Sequence, residues 1–139
     1  MPYNYSEILN KYFFNYIFRE SEKIELGGSM AELTKLEEQI LLSVWKLGDN
    51  AYGLTIYRHI VEITGKKIAI GGIYYPLERL VKKRYLNAYK GEPTAMRGGQ
   101  SKRYYRLTRH GAEALKREKQ AQEAFWKGLP ELKLVTNGT

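Results

Sequence analysis

Residues 71–107 read GGIYYPLERLVKKRYLNAYKGEPTAMRGGQSKRYYRL, and this stretch decides the fold. A helical pattern covers residues 72–84, because apolar side chains recur there at helical spacing: Ile73, Leu77 and Leu80. Two Tyr-rich segments follow, 86–90 and 103–107, on either side of a loop that contains Gly and Pro. Short segments of this kind around such a loop are typical of a hairpin. The stretch therefore predicts a helix followed by a two-stranded hairpin with a long tip.

Two further helices are expected before this stretch. Thr34 and Glu37 are spaced as a capping box, in which the two side chains bond each other's backbone amides at a helix start. This first helix would turn a row of aliphatic side chains inward: Leu36, Ile40, Leu41, Val44 and Leu47. The second helix would begin after Tyr52-Gly53 and end at Gly65. Its inner face would carry three isoleucines: Ile56, Ile60 and Ile63.

The sequence also predicts the position or the burial of several single residues. Pro76 would fall in about the second turn of the third helix, where it removes one backbone hydrogen bond. Trp45 on the first helix is expected in the core, whereas His59 on the second is expected in solvent. Tyr104 and Tyr105 alternate across a strand, so one of them should be buried.

A last helix is expected from a cap at Thr108 to about Lys127. The chain is then mainly α with a small β-hairpin, in the order of a winged helix-turn-helix: a three-helix core, a two-stranded wing and a C-terminal helix. We therefore divide it into a winged-helix DNA-binding domain at residues 30–108 and a C-terminal dimerisation helix and tail at residues 109–139.

Residues 1–29 form a separate N-terminal appendage with two alternative interpretations. Residues 5–18, YSEILNKYFFNYIF, carry one apolar stripe of a short amphipathic helix, which would pack across a dimer interface. Polar residues interrupt that stripe, so it is not a membrane span. Alternatively, Met30 is the start and residues 1–29 are a translated leader, since the codons of Gly27-Gly28 can form a purine-rich ribosome-binding site.

The composition excludes most enzymatic and metal chemistry. The chain has no Cys, two His and one Asp, so a cysteine nucleophile or thiolate zinc site cannot be built, and few groups remain for a catalytic triad. His59 and His110 have no partner at a recognisable spacing. We expect no enzyme activity, no metal and no cofactor.

The charge of the chain is concentrated in one segment. The 139 residues carry 23 Lys+Arg and 15 Asp+Glu, a net charge of +8. Residues 66–106 alone hold eleven basic and two acidic residues, a net charge of +9, so the rest of the chain sums to −1. A one-sided segment of this kind indicates an anionic partner.

The position of this charge suits DNA. The third helix can enter the major groove while the wing follows the backbone. Its outer face would carry Tyr75, Lys82 and Lys83, and Gly72 would let the helix N-terminus approach a phosphate closely. Tyrosine hydroxyls between the basic residues can bond phosphates without adding charge.

Three stretches resemble the PadR-like family of transcriptional regulators. Residues 51–56, AYGLTI, are like the family's H-G-Y-E-I. Residues 71–80, GGIYYPLERL, are similar to G-T-[IVL]-Y-x-x-L-x-R-L of its recognition helix. Residues 98–108, GGQSKRYYRLT, are close to G-G-x-x-[KR]-[KR]-Y-Y-x-L-T of its wing and are the most specific match. Two departures are the Tyr75 that precedes Pro76 and a C-terminal region with room for about one helix.

The resemblance implies a cytoplasmic bacterial homodimer that binds a pseudo-palindromic operator in double-stranded DNA, often as a repressor. It also implies a small-molecule inducer that relieves repression. Carried over residue by residue, it assigns DNA contacts to the recognition helix and the wing: Tyr74, Arg79, Arg97, Lys102 and Arg103.

Dimerisation would use the last helix, which carries large side chains without an obvious place in a small core: Leu115, Gln122, Phe125 and Trp126. The alternative function is a winged-helix module that binds RNA or a protein without operator specificity. A membrane-surface protein that uses residues 5–18 and the basic face is a third interpretation, and we expect no membrane partner.

Overall fold

The computed structural model describes residues 32–91 and 102–132, so residues 1–29 and the hairpin tip lie outside the described part. This part contains six elements in sequence: α1 (Lys35–Leu47), α2 (Gly53–Thr64), α3 (Tyr74–Lys82), β1 (Leu86–Lys90), β2 (Arg103–Leu107) and α4 (Arg109–Trp126). Short 3-10 turns precede α2 and α3, at Gly48–Asn50 and Ile70–Ile73. The predicted order of three helices, a hairpin and a last helix is confirmed.

Local signals set the bounds of α1 and α2. The Thr34 hydroxyl accepts a hydrogen bond from the Glu37 amide at 3.1 Å, and the Glu37 carboxylate accepts one from the Thr34 amide at 2.9 Å. This is the predicted capping box. Gly65 ends α2 with φ 68, the left-handed conformation that glycine adopts without strain.

The wing is anchored to the helical core on both sides. Its strands are antiparallel, with Leu86 opposite Leu107 and Tyr89 opposite Tyr104. The Tyr105 amide donates to the Ala51 carbonyl at 2.9 Å, so the chain before α2 extends the sheet at the edge of β2. The base of the hairpin is therefore joined to the chain before α2.

The start of α4 packs tightly against the start of the wing. A Cβ added at Gly111 would lie 2.3 Å from the Tyr85 carbonyl oxygen, so only glycine allows this approach. The Thr108 hydroxyl accepts from the Gly111 amide at 2.9 Å, which caps α4 as predicted. It also donates to the Arg84 carbonyl at 2.7 Å and joins the two turns.

The core lies between α1, α2, α3 and the inner face of the wing. Its aliphatic and aromatic members come from every element: Ile40, Leu41, Val44, Ala51, Ile56, Ile60, Ile73, Leu77, Leu80, Tyr85, Leu86, Tyr105, Ala114 and Leu115. Tyr105 is buried and Tyr104 is half-buried, so the alternation expected of the strand is confirmed.

Several single-residue predictions are wrong. Ile63 and Trp45 are 72% and 68% exposed, because no helix or strand within residues 32–91 and 102–132 covers these two positions. His59 is half-buried, and its Nδ1 is 2.8 Å from the Ser43 hydroxyl, a contact between α1 and α2. Pro76 is the third residue of α3, in the first turn, where a backbone amide has no intrahelical partner to lose.

Candidate nucleic-acid interface

The third helix, α3, which is the predicted recognition helix, begins at an open surface. Gly72 in the preceding turn is exposed, and a Cβ added there would meet no atom within 4 Å. Its amide donates to the Ala69 carbonyl at 2.9 Å. This amide therefore stabilises the turn, and what Gly72 offers at the start of α3 is an unobstructed approach.

The two tyrosines at the start of α3 are half-buried. The Tyr74 ring lies against the start of α2, where a Cβ on Gly53 would be 2.8 Å from its Cε1 and Oη atoms. Gly53 is thus required for Tyr74 to pack against the core. Tyr75 also retains a partly exposed surface, so both residues can take part in a contact with a ligand.

One buried carboxylate holds two basic residues of the α3 region, and we call Glu37, Arg79 and Lys83 the Glu37 cluster. Lys83 Nζ donates to Glu37 Oε2 at 3.2 Å and to the Glu32 carbonyl at 3.0 Å. Arg79 Nε lies 3.6 Å from the same carboxylate oxygen. The Glu37 and Lys83 side chains are each 1% exposed, whereas that of Arg79 is 29% exposed.

The prediction that Lys83 lies on the outer face is wrong. Lys83 is the C-cap of α3 with helical dihedrals, φ −69 and ψ −6, and it lies three residues after the buried Leu80, so the helical period places it on the side of Leu80 and toward the core. Its long side chain turns back toward α1, where the carboxylate and a backbone carbonyl replace water as hydrogen-bond partners. Arg79 and Lys83 are therefore brought together, but only Arg79 reaches the surface.

A second buried carboxylate joins α3 to the wing, and we call Glu78, Arg103 and Tyr105 the Glu78 cluster. Arg103 Nη2 lies 3.1 Å from Glu78 Oε1 and 3.3 Å from Oε2. The Tyr105 hydroxyl donates to Oε1 at 3.3 Å. Burial raises the pKa of the Glu78 carboxyl, although Arg103 opposes the shift, and burial likewise raises the pKa of Tyr105, with the Glu78 charge adding to it.

One residue expected at DNA, Arg103, belongs to this cluster, and a second, Lys82, acts on the Glu78 carboxyl through its charge. Arg103 keeps 36% of its side chain exposed while it pairs with Glu78. Lys82 is half-buried, and its charge also acts on the Glu78 carboxyl. The structure brings Lys82 and Arg103 together around one carboxylate, at the junction of recognition helix and wing.

The side of the sheet away from the core combines aromatic rings with cations, and we call Tyr52, Tyr89, Lys102, Tyr104 and Arg106 the outer wing face. Lys102 Nζ lies 4.1 Å from the centre of the Tyr52 ring, and Arg106 Cζ lies 4.8 Å from that of Tyr89. Tyr89 stacks on Tyr104 at 5.7 Å between ring centres. These are the distances of cation–π and stacking contacts.

The sequence reasoning missed Tyr52 and Arg106 as members of this face. The period of two along a strand was the available signal, since residues 102, 104 and 106 must share one side. Tyr52 joins them only through the bridge that the chain before α2 makes to Tyr104, which requires the fold. Arg97 lies outside the described residues.

The residues expected to form a dimer separate into two groups. Gln122, Phe125 and Trp126 are exposed on the last two turns of α4, with Phe125 81% exposed. Leu115 is 8% exposed and belongs to the core of its own chain, so it is not available for a second subunit. The difference arises because α4 packs on the domain only near its start and then extends away from it.

Residues 32–91 and 102–132 contain no group of three or more His, Asp or Glu side chains placed to hold a metal ion. Among the same residues, no helix is both long and apolar enough to cross a membrane.

A helical core, a basic recognition helix and a two-stranded wing define a winged helix-turn-helix protein. The model of the transcriptional regulator PadR-like family matches residues 40–117, more than half of the chain. The protein therefore belongs to the PadR-like family, whose members are transcriptional regulators and not enzymes. The matched region runs from the middle of α1 into α4.

Solved structures of two transcriptional regulators share the fold. A PadR family transcription regulator from hypervirulent Clostridium difficile is 26% identical, over 68% of this chain and 92% of that one, with a TM-score of 0.55. A transcriptional regulator from Clostridium thermocellum is 29% identical, over 66% of this chain and 85% of that one, also with a TM-score of 0.55. No curated protein sequence matches the chain.

Proposed function

We propose that the protein is a sequence-specific repressor that binds a pseudo-palindromic operator in double-stranded DNA as a homodimer. The observation that carries this proposal is the accessible positive charge on α3 and the wing of a PadR-like regulator. Five basic side chains remain at least partly exposed there: Arg79, Lys90, Lys102, Arg103 and Arg106. The ammonium nitrogen of Lys82 is buried. A bacterial regulator of this kind acts in the cytoplasm, where the chromosome lies.

In the proposed complex, α3 enters the major groove, where base edges distinguish sequences. Its half-buried Tyr74 and Tyr75 lie at the leading end of the helix, beside the open Gly72. The wing follows the backbone, and Lys102 and the tip residue Arg97 bind phosphates. Base contacts then determine sequence preference, and phosphate contacts supply affinity that falls with salt.

The proposed dimer uses the end of α4. Phe125 and Trp126 expose large apolar surfaces beside Gln122, and removing such surface from water favours association. A two-fold dimer presents two copies of α3, which read half-sites separated by about one helical turn of DNA. A small molecule that changes the separation of the two helices would act as an inducer.

Binding to selected DNA tests the operator proposal. A duplex selected by the wild-type protein from a random library is compared with a scrambled duplex of the same composition. We expect a clear preference for the selected duplex, a two-fold symmetric consensus, and a loss of affinity of roughly 10³–10⁵ between about 50 and 200 mM salt if six to ten phosphates are contacted. Equal affinity for the two duplexes would refute a sequence-specific regulator.

Sedimentation tests the dimer proposal. We expect the wild-type protein to have the mass of two chains and the Phe125→Ser/Trp126→Ser variant to have the mass of one. Lys116→Ser changes an exposed polar residue of the same helix and serves as the matched control, which should remain dimeric. A dimer that persists in the double variant would place the interface elsewhere.

A further inference from the structure

Glu37 pairs with two basic residues, and only one of them, Arg79 on α3, reaches solvent. The carboxylate lies on the first turn of α1 and is 1% exposed, and its Oε2 atom lies 3.6 Å from Arg79 Nε. The other carboxylate oxygen accepts from the Thr34 amide at 2.9 Å, which fixes the rotamer of Glu37. Arg79 is thus paired by charge, at an ion-pair distance, with a carboxylate whose rotamer is fixed.

The charges of the Glu37 cluster do not cancel. Lys83 Nζ, 3.2 Å from Oε2 and buried like the carboxylate, balances the charge of Glu37. With one acidic and two basic side chains, the cluster keeps a net charge of +1, and the more exposed cation is Arg79. Pairing with Glu37 therefore orients Arg79 without removing its attraction for an anion.

The contact with Glu37 uses Nε of Arg79 and not its two terminal nitrogens. A guanidinium carries five N–H donors in a fixed plane, and the closest approach to Glu37 is made by Nε, which supplies one of them. The two terminal nitrogens supply the other four, and together they match planar pairs of acceptors such as guanine O6 and N7 or two phosphate oxygens.

We propose that Glu37 is a positioning residue for DNA recognition: it fixes the guanidinium of Arg79 so that the terminal nitrogens meet a pair of acceptors on DNA. The inference rests on the proposed DNA-binding function and adds to it a residue of α1 that never touches DNA. A long side chain held in its binding rotamer loses less conformational freedom when the complex forms, so affinity and selectivity both increase.

The test is a double-mutant cycle read out as DNA preference. Glu37→Gln/Lys83→Met removes both charges of the buried pair, retains the side-chain oxygen of the capping box and leaves no unpaired lysine in the interior. We expect its preference for the selected duplex over the scrambled one to fall roughly tenfold, the size expected when one bidentate contact is lost. Glu38→Gln, the same charge change on the next residue of α1, is the matched control and should retain the full preference.

The cycle separates positioning from general structure. In an Arg79→Ala background, the Glu37→Gln/Lys83→Met change should have no further effect on preference, because the side chain that it positions is absent. Independent effects that multiply would show that Glu37 acts on the fold as a whole and would overturn the inference. A pair variant that retains the wild-type preference would overturn it as well.

Two further arms identify the acceptor. If Arg79 meets a guanine, 7-deazaguanine in the selected duplex should weaken the wild-type protein and leave Arg79→Ala unaffected. If it meets phosphates, Arg79→Ala should instead lower the slope of log affinity against log salt by about one. The first result supports positioning of Arg79 for recognition of a base. The second would overturn the inference, because a phosphate contact carries no sequence preference for Glu37 to affect. If the wild-type protein does not prefer the selected duplex, the proposed function itself is refuted. If the wild-type protein prefers that duplex and the Glu37→Gln/Lys83→Met variant prefers it equally, only the positioning role of Glu37 is refuted.

Discussion

The Glu37 and Glu78 clusters each contain a buried carboxylate at α3, and they differ in how exposed the basic partner of that carboxylate is. Glu37 and Glu78 are each 1% exposed, one on α1 and the other on α3. The Lys83 side chain that pairs with Glu37 is itself 1% exposed, whereas the Arg103 side chain that pairs with Glu78 is 36% exposed. One pair is closed off from water, and the other has an open side.

The exposure of the partner determines what the carboxylate does. Lys83 has left water completely, so its charge depends on Glu37 for stabilisation, and the pair functions as a structural connection between α1 and the end of α3. Arg103 can be hydrated without Glu78, so the carboxylate bears a desolvation cost that its partner only partly offsets. We therefore expect the first cluster to dominate stability and the second to dominate pH dependence.

The largest effect is expected from Glu37→Gln. The substitution leaves the Lys83 ammonium buried without its counter-charge, and removing one partner of a buried pair costs about 3–5 kcal/mol of unfolding free energy. Urea denaturation at neutral pH measures it. The Glu37→Gln/Lys83→Met variant should recover most of the loss. A single variant within about 1 kcal/mol of wild type would contradict a closed pair.

A smaller effect on the free energy of unfolding, one that depends on pH, is expected from Glu78→Gln. Since the folded-state pKa of Glu78 is raised above 4.5, its contribution to stability is fully present below that value and is lost as pH rises through the folded-state pKa. The wild type should therefore lose stability relative to Glu78→Gln as pH rises, and at neutral pH the variant should be within about 1 kcal/mol of wild type or more stable.

Urea denaturation of both proteins from about pH 4 to 8 measures this difference. Glu38→Gln, which removes a charge that lies 3.9 Å from the exposed Lys35 ammonium, is the control for a general charge change. A wild-type advantage that grows with pH would show that Arg103 more than offsets the cost of burying Glu78.

The smallest effect concerns two neighbouring wing residues in DNA binding. Lys102→Ala should lower the slope of log affinity against log salt by about one, because the Lys102 ammonium has a cation–π contact to Tyr52 and no acidic partner among the described residues. Arg103→Ala should change the slope less, because Glu78 already balances much of the Arg103 charge. Binding to the selected duplex over a salt series measures both. Equal slopes for the two variants would mean that Arg103 leaves Glu78 for a phosphate.

Local rules explain the parts of the fold that were predictable. The capping box at Thr34, the left-handed Gly65, both strands of the wing and the burial of Tyr105 follow from spacings of a few residues. Each depends on backbone geometry that neighbouring residues impose on one another. The basic character of α3 and the wing was equally readable, since charge is counted along the chain.

The sequence by itself therefore determined the order of the elements, the site of positive charge and the resemblance to the PadR-like family. Only the tertiary structure decided which charges remain at the surface and which apolar groups are covered. Lys83 turns inward to Glu37, Arg103 is shared with Glu78, and Leu115 is covered by its own domain. These outcomes depend on which distant residue comes within a few ångströms, and a helical or strand period specifies a face but not what lies opposite it.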